Sequence, residues 1–232
     1  MIRFVRPLVV PLLLASLSAG GCTWGVERDI PEMHRNLSKT VDIQTGVVQG
    51  DLERAREAAT WLLTRQQPFP PGGESFEQEL RLYASRIAEA TDLKTVAVQT
   101  GQLAATCGGC HEAVRGGPSF VVAGDVPGGD SQEALMVRHL WAADRMWEGL
   151  VGPSEEAWMA GATAMAETEP ALARAFRSSV IAEGAEEFLQ EVNLLATEAL
   201  NAYGLGLRAD VYGRLLETCN RCHSSLAIQT NR

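Results

Sequence analysis

Hydrophobic residues recur along most of this chain at the three-to-four-residue spacing of an α-helix, and no segment alternates in the manner of a strand. A Gly- and Pro-rich stretch at 116–130 interrupts this spacing and predicts a linker. We therefore expect an all-α fold in two parts, 31–115 and 131–232. The helices of the first part are predicted over 31–48, 51–66, 75–90 and 92–115.

The two parts resemble each other as repeats. Residues 72–115 align without gaps to residues 184–227 at an offset of 112 residues. Further upstream, His34 and His139 match at an offset of 105 residues, each on the apolar stripe of the first helix in its part. These matches predict an internal duplication.

Each part ends its last helix with the motif C-x-x-C-H, "CGGCH" at 107–111 and "CNRCH" at 219–223. Two thiols spaced in this way can each add across a vinyl group of haem, and the adjacent histidine is then placed to bind the iron. The motifs predict two covalently bound haem c groups. Their thiols are Cys107, Cys110, Cys219 and Cys222, and their proximal iron ligands are His111 and His223.

Two other uses of these cysteines are less consistent with the spacing. A four-cysteine zinc site would have to bridge more than 100 residues between Cys110 and Cys219, far beyond the spacing of zinc ribbons. A redox-active dithiol would normally sit in a βαβ context, which the sequence does not predict. Neither use explains the histidine after both pairs.

The remaining histidines, His34 and His139, are the candidates for the sixth iron ligands. We expect two bis-histidine haems, with these residues on the distal side. Met33 and Met136 are the alternatives, because methionine sulfur also ligates haem iron.

The N-terminus predicts export. Residues 1–21 combine a basic start, an apolar run and a small-residue end, as a signal peptide does. Cys22 follows directly, which indicates lipidation of its thiol after cleavage, with 22–30 as a tether. We expect a lipid-anchored protein on the periplasmic or extracytoplasmic face of a bacterial membrane.

The charge narrows the choice of partner. The formal net charge is −9 and becomes more negative when Arg3 and Arg6 leave with the signal peptide. This excess of acidic residues argues against a nucleic-acid partner and predicts a redox partner protein with a basic docking surface. The sequence leaves the oligomeric state open.

With C-x-x-C-H near the end of a fourth helix, each part resembles the class II c-type cytochromes, over roughly 30–115 and 131–227. The resemblance implies two tandem antiparallel four-helix bundles, each holding one haem, with the first helix facing the distal side of the iron. Arg115 matches the family's basic residue after the motif, whereas Ala227 departs from it. Class I cytochromes have this motif near the start of the domain and a methionine ligand well downstream of it. They are disfavoured here, because only nine residues follow His223 and none is methionine.

The leading functional prediction is a carrier of single electrons, since irons closed by two histidines leave no site for a substrate. The alternative is a protein that binds NO or CO at one haem with an open distal side. An enzyme is disfavoured, because no further histidines remain to act as acid–base groups.

Overall fold

The computed structural model describes residues 26–65, 69–118, 125–176 and 182–225, and none of these residues lies in a strand. The all-α prediction is therefore confirmed for this part of the chain. The signal peptide, Cys22 and Ala227 lie outside the described residues. The helices are α1 Val26–Gln49, α2 Leu52–Thr64, α3 Glu74–Ala88, α4 Leu93–Ala113, α5 Gln132–Val151, α6 Glu155–Phe176, α7 Ala182–Ala199 and α8 Leu205–Ser225. Within these ranges no helix has the length and apolarity needed to cross a membrane.

Side-chain caps fix several helix starts. Asp51 and Asp92 accept the backbone N–H groups of Arg54 and Thr95, at the starts of α2 and α4. The α3 helix begins at Glu74, after Gly73, and has no side-chain cap. The cap of α5 is Ser131, whose hydroxyl accepts a hydrogen bond from the backbone N–H of Ala134.

The α4 and α8 helices pack against each other in an antiparallel pair. Lys94, near the start of α4, forms an ion pair of 3.2 Å with Glu217, near the end of α8. Nearer the middle, the amide of Gln102 donates to Asp210 at 2.6 Å. Consequently the C-terminal ends of the two helices, which carry the two motifs, lie at opposite ends of the pair. With 1.5 Å of rise per residue, the motifs are separated by roughly 30 Å.

Two glycines allow the backbones of α4 and α8 to approach closely. A Cβ placed on Gly101 would lie 2.2 Å from the carbonyl oxygen of Ala209, and one on Gly213 would lie 3.2 Å from that of Ala97. Both pairs are related by the 112-residue offset of the repeats. The crossing is thus pseudo-twofold, in agreement with the predicted duplication and with helix bounds of α4 and α8 that differ by the same offset.

One hydrophobic core runs through both parts of the chain. It contains Ile43 and Leu103 from the first part and Met146 and Leu215 from the second, all of them buried. The first helix of each part also packs against the last helix of the other part, α1 on α8 and α5 on α4. The predicted boundaries 31–115, 116–130 and 131–232 stay a prediction, and the described residues of 116–130 are not helical.

We expect Gly101→Ala to lower the free energy of unfolding by about 1–3 kcal/mol, because the added methyl group overpacks the α4–α8 contact. Gly206→Ala is the matched control, since a Cβ on that exposed helical glycine meets nothing within 4 Å. It should leave stability unchanged or raise it by up to about 1 kcal/mol through helix propensity. Chemical denaturation of both variants tests this, and equal effects would contradict the close crossing.

Candidate haem-binding sites

The second motif occupies the last two turns of α8. Cys219 and His223 are four residues apart and Cys222 is three residues from Cys219, so the three side chains share one side of the helix end. Buried Tyr212 and Leu215 anchor the preceding turns in the core. The helix therefore presents both thiols and the imidazole to one space.

That space is a small apolar cavity of about 30 Å³. It lies between the N-terminal half of α5, the C-terminal half of α6, the start of α7 and the end of α8. The lining residues are Met136, His139, Leu172, Phe176, Ala185, Phe188, Leu189, Val192, Cys219, Cys222 and His223.

His139 lines the same cavity as the second motif. Its Nδ1 donates a hydrogen bond of 2.7 Å to the Oε1 atom of Glu169. Glu169 is 1% exposed, and its other oxygen has no hydrogen-bond partner among the described residues. A buried carboxylate of this kind is stable only beside a positive charge or a strong donor, and His139 supplies it.

These contacts change two ionisation equilibria. Burial alone lowers the pKa of His139, but the carboxylate of Glu169 and a hydrogen bond with Cys219 outweigh it and raise the pKa to about 10. The pKa of Cys222 is raised to about 12, by burial first and then by Cys219 and Glu169. Glu169 thus helps to raise the pKa values of both His139 and Cys222.

Glu169 is a site residue that the sequence analysis missed. A signal was present, since Glu169 falls on the apolar stripe of α6 between Met165 and Leu172. Pro170 follows it and cannot donate a hydrogen bond to the carbonyl of Ala166, one turn earlier. The Asn193 amide on α7 donates to that carbonyl at 3.1 Å, which ties α6 to α7 beside Glu169.

The first motif ends α4 in the same way. The Nδ1 atom of His111 donates to the carbonyl oxygen of Val151, the last residue of α5, at 2.7 Å. This bond fixes the tautomer and leaves Nε2 as the atom able to bind a metal, which is the usual arrangement for a ligating histidine. Gly117, with φ of 111°, packs closely against the same imidazole ring.

The residues between the cysteines differ in the two motifs, yet they meet equivalent partners. A Cβ on Gly108 would lie 2.1 Å from the carbonyl oxygen of Leu150, so only glycine fits. In the second motif, Asn220 occupies this place, and its amide donates to the carbonyl of Val47 at 2.8 Å. Each motif is therefore held against the end of the first helix of the other part.

The same equivalence holds one residue later. Gly109 packs against the ring of Phe76, where a Cβ would lie 2.8 Å from the nearest ring carbon. In the second motif the Arg221 guanidinium stacks over Phe188, at 5.2 Å from the ring centroid. The two phenylalanines are 112 residues apart, so both motifs rest on the start of the third helix of their own part.

The four motif cysteines are thiols and not disulfides. The pKa of Cys107 is raised to about 12 by burial and by the neighbouring Cys110, whose own pKa burial also raises. Because the pairs lie at opposite ends of the α4–α8 pair, they cannot meet at one zinc ion. In the described ranges no three His, Cys, Asp or Glu side chains stand together as a metal site.

Two of the sequence-predicted residues have solvent-exposed side chains. His34 is exposed, so the prediction that it lies on the apolar stripe of α1 is wrong. The stripe runs through Asn36, Thr40 and Ile43, and His34 is about 160° around the helix from Asn36. Arg115 is also exposed, just beyond the end of α4. The ligand role of His34 stays a prediction, and its placement does not favour it.

No family model, curated protein or solved structure matches this chain.

In the chain without a cofactor, we expect the His139–Glu169 pair to make stability depend on pH. The pKa of His139 is raised above its ordinary value of 6.5, so the pair's contribution is complete below about pH 6.5 and is lost as the pH rises through about 10. Glu169→Gln should cost about 1.5–3 kcal/mol at pH 6, because it removes a charge-assisted hydrogen bond.

Denaturation of the wild type and of Glu169→Gln between pH 6 and pH 10 measures this, with the exposed Glu167→Gln as the matched control on the same helix. The difference in unfolding free energy between wild type and Glu169→Gln should shrink as the pH rises. A constant difference across this range would show that the pair is not ionic.

Proposed function

We propose that this chain is a dihaem c-type cytochrome that carries single electrons at a membrane face. The observation that carries the proposal is that Cys219, Cys222, His223 and His139 line one apolar cavity at the second motif. Two four-helix units with one covalent haem each, as the class II resemblance implies, are part of this proposal.

The residues around the cavity at the second motif fit a haem group. Cys219 and Cys222 would hold the group through thioether bonds to its two vinyl groups, with each thiol proton passing to the neighbouring carbon. Leu172, Phe176 and Leu189 supply the apolar walls that a porphyrin needs. His223 from α8 and His139 from α5 line this cavity, and their imidazoles would hold the iron.

Haem c supplies an iron that takes up and releases single electrons. Glu169 holds His139 through Nδ1 and so directs Nε2 as the ligating atom, and its negative charge increases the basicity of the ring. Two imidazole ligands favour the ferric state more than an imidazole and a thioether do. His139 and Glu169 thus close the second site to substrates and set a relatively low potential.

The first motif fits attachment of a second haem. Cys107 and Cys110 provide the thiols, and His111 keeps Nε2 available by donating from Nδ1 to Val151. The distal side of this site differs, because His34 is exposed. This difference favours a second candidate function, the binding of a small ligand such as NO or CO at the first haem.

The expected location and partner follow from residues outside the two sites. Lipidation of Cys22 would fix the protein to the extracytoplasmic face of a bacterial membrane. The net charge of −9 favours docking to a redox protein with a basic surface, and such an association weakens as salt is added.

We expect the protein exported by a bacterial host with cytochrome c maturation to carry two covalent haems per chain. The double variant Cys107→Ala/Cys110→Ala should carry one, and Cys219→Ala/Cys222→Ala should also carry one, because each motif supplies its own thiols. Ser225→Ala, an exposed change next to the second motif, is the control and should keep both.

Intact mass and the absorbance of the denatured haem measure the number attached. Wild-type protein that carries no covalent haem, or that instead contains zinc, would contradict the proposal.

A further inference from the structure

We infer that the two haem sites are unequal, with Asn36 and not His34 facing the distal side of the first haem and leaving its sixth position exchangeable. The inference rests on the proposed function, since it concerns the surroundings of the two haems. It depends on the register that relates α1 to α5, which packing contacts and backbone hydrogen bonds fix.

Three sets of contacts fix that register at an offset of 103 residues. Gly46 packs against Ala55 at the α1–α2 turn, and Gly149 packs against Trp158 at the α5–α6 turn. The backbone N–H of residue 51 donates to the carbonyl of residue 46 at 2.8 Å, and that of residue 154 donates to the carbonyl of residue 149 at 3.2 Å. The carbonyls of Val47 and Leu150 face the two motifs equivalently.

In this register Asn36 corresponds to His139, and Met33 corresponds to Met136. Burial follows the same correspondence. Asn36 is 7% exposed, whereas His34 is exposed, like its counterpart Val137. The pairing of His34 with His139 at an offset of 105 residues is therefore wrong, and the structure moves it by two positions.

The chemistry of Asn36 differs from that of His139 in two ways. An amide is not among the usual axial ligands of haem iron, and its side chain is shorter than an imidazole. Its Oδ1 atom is buried and has no hydrogen-bond partner among the described residues, which is costly unless a further group fills the space. Asn36 is thus suited to hydrogen-bond a small molecule at the sixth position, not to occupy that position.

Carbon monoxide is the probe for an exchangeable position, since it binds reduced haem iron only where no strong protein ligand competes. Haem content is determined first, so that a chain without two haems counts against the proposed function and not against this inference. For protein with two haems, we expect reduced wild type to bind one carbon monoxide per chain.

Three variants and one control show which haem binds that single carbon monoxide. His34→Ala should still bind one equivalent, and so should the exposed control Ser38→Ala on the same helix. His139→Ala should bind two, because it opens the second site. Asn36→His should bind none, because it gives the first iron the ligand that the second already has.

Other outcomes would overturn the inference. If wild type binds no carbon monoxide and His34→Ala binds one equivalent, His34 is the distal ligand. If wild type binds no carbon monoxide and Met33→Ala binds one equivalent, Met33 is the ligand that closes the first site. The ferric optical spectrum of Asn36→His is a second readout, and it should become fully low-spin while its haem content stays at two.

Discussion

The antiparallel contact between α4 and α8 is the constraint on which the rest of the structure depends. Gly101 and Gly213 remove the side chains that would keep the two helix backbones apart, and each faces a backbone carbonyl of the other helix. Because the crossing is pseudo-twofold, equivalent residues near the C-terminal ends of α4 and α8 lie at opposite ends of the helix pair. The two C-x-x-C-H motifs are thereby separated by roughly 30 Å along one shared pair.

The same arrangement makes each motif depend on both parts of the chain. The ends of α5 and α1 supply the carbonyls that meet Gly108 and Asn220, and the carbonyl of Val151 orients His111. A cofactor at either end would thus be seated partly by the other repeat. In physical terms the two repeats form one continuous core with a C-x-x-C-H motif at each end, and His139 in the second repeat stands where the first has Asn36.

Much of this could be predicted from the sequence, because its signals are local. Helical spacing and the C-x-x-C-H motifs gave the helices, the 112-residue repeat and the motif positions at helix ends. The register that relates α1 to α5 could not be predicted, because the loop lengths of the two parts differ. Matching the two histidines gave the wrong offset, and the packing contacts that give the right offset are not visible in one sequence. Asn36 was missed for that reason. Glu169 was missed because a carboxylate on an apolar stripe acquires a role only once His139 lies 2.7 Å away.

Electron paramagnetic resonance of the fully oxidised protein tests most directly whether His139 closes one of two unequal haem sites. The account predicts two distinct ferric signals per chain, one of them low-spin with the character of two imidazole ligands. That signal should disappear in His139→Ala and persist in His34→Ala, while the other signal stays unchanged in both variants. Two identical low-spin signals in the wild type, or a spectrum that His139→Ala leaves unchanged, would contradict the account.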